Sequence, residues 1–223
     1  SPIACGVIRS IDIRDAKSMP GVVNIFTAQD MAADGVTHML DTAKPVRDDG
    51  GTVINPRRPI LNSSDIKHLG EPIAIIVAQT SEQADNALEA IFVDYSDSDS
   101  ALLSSENTDS PLVWPEGQDN YASYHHVGDA TKLPEAEANA AHLITVPIHI
   151  SRITAVAMEP RISLCDIDPE GKLIFTTSTQ NPFALRAEIM KTFSLETANI
   201  QVIAPDVGGS FGMKGTLYRE DAA

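Results

Sequence analysis

Residues 172–215 read KLIFTTSTQNPFALRAEIMKTFSLETANIQVIAPDVGGSFGMKG, and their order decides the fold. Residues 172–177 form an apolar run of strand length. Pro182 then suits a first helical turn, because its ring fixes φ and its missing N–H is not needed there. Phe183, Ala184, Ala187, Ile189, Met190 and Phe193 recur at helical spacing, and residues 200–204 return as a strand. Strand, helix, strand is a crossover, expected to be right-handed with the two strands parallel. Both strands then end at the same edge of the sheet, where ligands of open α/β sheets sit. Gln180, just past the first strand, and the loop 208–212, just past the second, should come out side by side.

That loop, Gly208-Gly209-Ser210-Phe211-Gly212, makes a poor core strand. Glycines let a backbone approach an anion closely, because no side chain keeps the anion away. Gln180 adds an amide that both donates and accepts, beside a helix N-terminus with unpaired N–H groups. Phe211 adds an apolar plate. Familiar phosphate templates do not fit: a P-loop needs Gly-Lys-Ser/Thr, whereas Lys214 precedes Gly215, and the Gly-x-Gly-x-x-Gly fingerprint has no register here. On the residues alone, a tight turn with Gln180 as a helix cap stays open, as does a small nucleotide- or phosphate-binding enzyme.

Upstream of the crossover, residues 143–150 alternate strongly and predict a strand. Residues 162–167 predict another, closed by the turn Asp168-Pro169-Glu170-Gly171 into a hairpin. Pro134 opens a short helix running to Ala141. Earlier still, residues 7–13 and 22–26 read as strands around the turn Met19-Pro20-Gly21. Residues 73–78 form an apolar strand, Ser81 is placed as N-cap, and Ala84, Ala87, Leu88 and Ile91 form one helical stripe before a strand at 91–95. Residues 32–62 lose all periodicity and read as an irregular excursion, with Arg57 and Arg58 a solvated pair. Residues 96–120 shift to Ser, Asp, Glu and Pro around Trp114, the composition of a surface linker.

The charge balance, 16 basic against 31 acidic residues for a formal −15, excludes a nucleic-acid surface and an acidic membrane, since phosphates are repelled at long range. Apolar runs are too short to span a bilayer and no export signal opens the chain, so a cytoplasmic protein is expected. The chain opens without Met into strand and stops shortly after the glycine loop, the pattern of a piece of a longer protein. Cys5 and Cys165 are far apart and predict two buried small side chains rather than a metal or disulfide framework. Tyr121, Tyr124, His125 and His126 cluster, but neighbouring histidines alternate faces on a strand and seldom share a metal.

The segment 177–182 followed by 204–215 resembles the molybdenum-binding large subunit of the xanthine dehydrogenase, aldehyde oxidase and carbon monoxide dehydrogenase family. Met158-Glu159-Pro160-Arg161, the run Leu69-Gly70-Glu71-Pro72 into 73–78, and Arg9-Ser10-Ile11-Asp12 with Met19-Pro20-Gly21-Val22 carry the same resemblance in the family's order. It implies an α+β chain: an α/β hammerhead domain over 1–100, a linker over 101–135, and over 136–223 the incomplete beginning of a molybdopterin-binding domain. It implies oxidative hydroxylation of an aldehyde, purine or other heterocycle, with Gln180 near an oxo ligand of molybdenum and Gly208, Gly209, Ser210, Phe211 and Gly212 over metal and pterin. The cofactor is expected as molybdenum-molybdopterin, in bacterial relatives commonly the cytosine dinucleotide form.

No direct metal ligand and no catalytic base are expected here; the family's glutamate base lies downstream. Glu71 and Glu159 are therefore not assigned that role, Glu159 being expected to pair with a basic group such as Arg161 or Arg152, while Glu220 is only weakly placed on the substrate side. Ser210 stands where the family's third glycine is usual, which should restrict φ. Expected partners are the rest of the molybdopterin domain, iron–sulfur and FAD subunits, and a second copy in a homodimer. The chain alone is expected to be inactive. A non-catalytic assembly module is the rival reading.

Overall fold

The computed structural model describes residues 1–39, 45–55, 57–101, 109–151 and 153–223. In the first half, β1 (Gly6–Asp12) pairs antiparallel with β3 (Asp65–Ile66) on one side and β5 (Phe92–Asp97) on the other. Alternation along β1 sends Ile8 inward to Ile66 and Ile73, ringed by Ile3, Ile11, Val93 and Tyr95. A second antiparallel pair joins β2 (Val22–Thr27) to β4 (Ala74–Ala78). Helices α1 (Arg14–Lys17) and α3 (Ser81–Glu89) pack on this pair through Ala16 and Ala87, whose small side chains let the helices close on Ile25. Helix α2 (Ala28–Ala33) starts at a capping box in which Asp30 accepts from the Thr27 N–H at 2.7 Å.

Two local readings are corrected. The N-cap of α3 is Thr80, whose hydroxyl accepts from the Gln83 N–H at 3.2 Å, so Ser81 is the first helical residue. Leu88 points to solvent, because the helix lies on its alanine face and only Ala87 is buried. Strands β4 and β5, on either side of α3, lie in two different sheets.

The described part of the excursion 32–62 is not all solvated. His38 bridges to Pro59, and Met39, Ile60 and Leu61 are buried against Phe175, Leu185, Ile189, Ile200 and Leu217 of the second half. Much of the stretch read as a linker is likewise tied down. Arg47 spends all five guanidinium N–H groups on Asp49, Asp119 and the Tyr121 carbonyl, and Lys67 lies 5.3 Å from the Trp114 ring centre. These pairs were illegible in sequence because more than 70 residues separate Arg47 from Asp119.

In the second half, α4 (Leu133–Asn139) carries Pro134 in its first turn. Strands β6 (Ser163–Ile167) and β7 (Leu173–Thr177) form the expected hairpin, its turn held by the Asp168 carboxylate, which accepts from Glu170 N–H at 3.1 Å and Lys172 N–H at 2.8 Å. Helix α5 (Pro182–Thr192) returns the chain to β8 (Ile200–Ile203), which runs parallel to β7 from Leu173↔Ile200 to Thr176↔Ile203. The buried residues of α5 are Leu185 and Ile189, whereas Phe183 is exposed. A last turn, α6 (Arg219–Ala222), follows the loop.

The strand predicted at 143–150 is not formed. Leu143, Ile144, Val146, Ile148 and Ile150 are all exposed, and no described strand pairs with them. Alternation was present, but a strand exists only where a neighbour takes its N–H and C=O groups. The cysteine reading is corrected too: Cys5 is half-buried and Cys165, on the outer strand β6, is exposed.

Candidate functional site

The crossover delivers the ends of β7 and β8 to one edge, and the backbone there is stitched together. The Lys214 carbonyl accepts from the Gln180 N–H at 3.0 Å and from the Thr179 hydroxyl at 3.0 Å. Gln180 is not the helix cap; Asn181 fills that role, its Oδ1 accepting from the Ala184 N–H at 3.1 Å. The Gln180 side chain is left to the loop, where its Oε1 accepts from the Ser210 hydroxyl.

Residues 208–215 fold into a turn around Ser210. Its carbonyl accepts from the Met213 N–H at 3.0 Å, and its Oγ from the Lys214 N–H at 3.0 Å. Left-handed backbone falls on Gly209 (φ +97°), Phe211 (φ +52°) and Gly212 (φ +88°), not on Ser210. The expected restriction of Ser210 is therefore absent, and the strained residue is Phe211, whose ring is 79% exposed. A side chain at Gly208 would meet the Glu159 Cβ at 2.6 Å, so glycine there serves packing.

Glu159 is the strap that holds the loop. Its Oε2 accepts from the Gly208 N–H at 2.8 Å and from the Lys214 ammonium at 2.6 Å, while Lys214 is itself buried. The ion pair with Lys214, then the Gly208 amide, hold its carboxyl below the usual glutamate range. The basic partner is thus Lys214 rather than Arg161, and Arg152 lies outside the described residues. Arg161 stacks 3.5 Å from the Tyr218 ring centre and reaches Glu220 at 3.8 Å. Behind the loop, Glu188 of α5 accepts from Thr216 Oγ1 at 2.9 Å and from the Leu217 N–H at 2.7 Å. Lys214 and Glu188 were missed in sequence; the signal for Lys214 was a cation within a glycine loop of an acidic chain.

The site offers donors. Among the described residues, none accepts from the N–H groups of Gly209, Ser210, Phe211 or Gly212, and nothing lies within 4 Å of a Cβ built on Gly212. The Gln180 amide nitrogen lies on the Gly215 side, 3.1 Å from a Cβ built there. Four unpartnered N–H groups with an open approach fit an acceptor-rich group bearing oxo or phosphate oxygens. Among the described residues no cluster of His, Cys, Asp and Glu could hold a metal; His125 instead pairs with Asp48 at 2.6 Å.

The larger cavity, about 920 Å³, lies elsewhere, between residues 28–39, 57–72 and 216–220, with Arg57 and Arg58 on its wall. None of 208–212 lines it. Much of its charge is matched internally: buried Glu71 accepts from Asn62 Nδ2 at 2.5 Å and from the Lys67 N–H at 3.2 Å, and pairs with Arg219 at 3.4 Å. The cavity is thus a seam between halves of the chain, and the donor rim at 208–212 is the better chemical candidate. Among the described residues no helix is long and apolar enough to cross a membrane.

Residues 1–99 match the aldehyde oxidase and xanthine dehydrogenase a/b hammerhead domain, and residues 113–223 the molybdopterin cofactor-binding domain. The nicotine 6-hydroxylase large subunit of Paenarthrobacter nicotinovorans is 27% identical over 99% of this chain and 26% of its own length. The aldehyde oxidoreductase molybdenum-binding subunit PaoC of Escherichia coli (strain K12) is 29% identical over 100% of this chain and 27% of its own. The crystal structure of quinoline 2-oxidoreductase from Pseudomonas putida 86 superposes with a TM-score of 0.85 at 25% identity, over 100% of this chain and 28% of that one. The chain spans about a quarter of the length of these relatives.

Proposed function

Because the chain belongs to the family of xanthine dehydrogenase and aldehyde oxidase molybdenum-binding large subunits, carrying its hammerhead and molybdopterin cofactor-binding domains in order, we propose that it works as the amino-terminal portion of a molybdenum hydroxylase large subunit. The proposed division is a hammerhead domain at 1–100, a connecting stretch at 101–135, and the first part of the cofactor domain at 136–223. The observation that carries the reading is the juxtaposition of Gln180 with the unpartnered N–H groups of 209–212, fixed by the shared Lys214 carbonyl.

In this reading Gln180, Gly208, Gly209, Ser210, Phe211 and Gly212 hold the molybdenum-pterin cofactor, in its cytosine dinucleotide form. When bound, that group supplies the redox centre for oxidative hydroxylation of an electron-poor carbon in an aldehyde, purine or other heterocycle. This chain's residues bind and orient. The Gln180 amide and the loop N–H groups donate to cofactor oxygens, and preorganised donors need no rearrangement as charge develops. The Phe211 ring excludes water from one side. Glu159 and Lys214 hold the loop and do no proton transfer, since the carboxylate is spent on Lys214 and Gly208. Glu71 is spent in the same way on Asn62, Lys67 and Arg219. The general base, the remaining pterin contacts, and iron–sulfur and FAD subunits come from outside this stretch, and the chain alone is inactive.

The apolar stretch 143–151, exposed at every residue, supports this reading: it is a surface for the rest of the subunit to cover. Elemental and pterin analysis of the native assembly containing this chain tests the proposal. Stoichiometric molybdenum that falls in Q180A is expected. An assembly without molybdenum would overturn it in favour of a non-catalytic assembly module, and stoichiometric molybdenum in the isolated chain would overturn the expectation that its site is incomplete.

A further inference from the structure

We propose that Ser210 is a positioning residue: its hydroxyl fixes the orientation of the Gln180 carboxamide so that the amide –NH₂ lies on the Gly215 side as a donor, and the site therefore selects a hydrogen-bond acceptor, an oxo or carbonyl oxygen. This deepens the cofactor-binding reading and rests on it for the identity of the ligand, though not for the contact itself.

The serine carries no backbone cost, because positive φ falls on Gly209, Phe211 and Gly212 around it. Its hydroxyl is bonded twice. It accepts from the Lys214 N–H at 3.0 Å, a group that can only donate. Its one proton goes to Gln180 Oε1. With the oxygen of the carboxamide committed, the –NH₂ end is turned away from Ser210 toward the Gly215 side, where the absence of a side chain leaves it room. The backbone of Gln180 is meanwhile held by the Lys214 carbonyl at 3.0 Å, so main chain and side chain are referred to the same turn.

The terminal torsion of a glutamine is broad and roughly two-fold, so nothing intrinsic to Gln180 favours this orientation over the flipped one. A glycine at 210 would leave that choice to the ligand. The serine makes it beforehand, which is preorganisation in the ordinary sense: ordering is completed before the ligand arrives. The benefit of one neutral hydrogen bond corresponds to roughly a three- to ten-fold change in ligand retention.

The test uses the native assembly containing this chain, with S210A, S210T, Q180A and the double variant S210A/Q180A. Crystal structures report the Gln180 conformer whether or not cofactor is present, and molybdenum remaining after dialysis reports retention. Expected are one Gln180 conformer on the Ser210 hydroxyl, its release in S210A and restoration in S210T. Molybdenum loss should be about three- to ten-fold faster in S210A, with no added effect of S210A in the Q180A background. An unchanged Gln180 conformer in S210A, or an equal S210A effect with and without Gln180, overturns the proposal, since the serine would then act only through the Lys214 turn. If the wild-type assembly holds no molybdenum, the functional reading falls while the conformer comparison still decides the role of Ser210.

Discussion

Two apolar regions of the second half have similar sequence patterns and opposite fates. In the crossover, Phe175, Leu185, Ile189 and Ile200 are each less than 5% exposed and share a core with Met39, Ile60 and Leu61 from the first half. In the segment just upstream, Leu143, Ile144, Val146, Ile148, Ile150, Ile153, Val156 and Met158 are each at least two-thirds exposed. Alternating hydrophobicity states a capacity for burial; what realises it is a partner for both the side chains and the backbone. The functional loop grows from the closed region, yet its strap, Glu159, comes from the end of the open one.

The largest effect should come from breaking the closed side. Leu185→Ala removes a side chain that is 2% exposed at the centre of the shared core, and a loss of about 2–5 kcal/mol in denaturant unfolding is expected. A loss below about 1 kcal/mol would mean that the two halves do not share a core. Next comes the seam. Glu71→Ala removes the acceptor for the Lys67 N–H and the ion-pair partner of the Arg219 guanidinium, which is 17% exposed and so is partly rescued by water, while Asn62 Nδ2 keeps its bond to the Asp65 carbonyl. About 2–3 kcal/mol is expected. If Arg219→Ala is additive with Glu71→Ala in a double-mutant cycle, the ion pair is not what joins the halves.

The closed region was legible because its signals are local. Pro182 starts α5, Asp168 and Gly171 close the hairpin, and strand, helix and strand succeed one another within 40 residues. The position of Gln180 beside the loop followed from the crossover alone. What was not legible depends on contacts distant in sequence: the buried Met39, Ile60 and Leu61 inside an apparent irregular excursion, the Arg47–Asp119 tie, and Lys214 as the partner of Glu159. The failed strand at 143–150 is the converse case, a strong local pattern without a described partner strand. The Ser210 hydroxyl bond exists only once the loop is folded against Gln180, and sequence marked that residue only as a departure from glycine.

The strap between the regions gives two smaller effects. Gly208→Ala places a methyl 2.6 Å from the Glu159 Cβ, which belongs to a stem that cannot swing away, and about 1–3 kcal/mol of local destabilisation is expected as faster amide exchange over 208–215. Acid should act on the same loop. Glu159 has its carboxyl held below the ordinary range, so its contribution is present above the unfolded-state value and is lost as pH falls through the depressed one. Exchange of the Gly208 amide should therefore be steady from neutral pH to about pH 5 and accelerate below about pH 4, after correction for intrinsic exchange. In Glu159→Gln that acid-dependent step should vanish. Acceleration at pH 6, or an identical profile in the variant, would assign the loop's anchorage to another group.

The smallest effect on the chain alone is the sharpest probe of the comparison. Ile148 is 79% exposed, and Ile148→Ser removes little that is buried, so unfolding of the isolated chain should change by no more than about 0.5 kcal/mol. In the native assembly the same substitution should cost far more, because burying an isoleucine is worth roughly 1.5–3 kcal/mol and a buried serine hydroxyl needs a partner. Thermal unfolding of both forms reads the difference directly. Equal, small shifts in both would mean that 143–151 stays open to water in the working protein. A large shift in the isolated chain would mean that the segment is already packed there, and the contrast with the crossover would disappear.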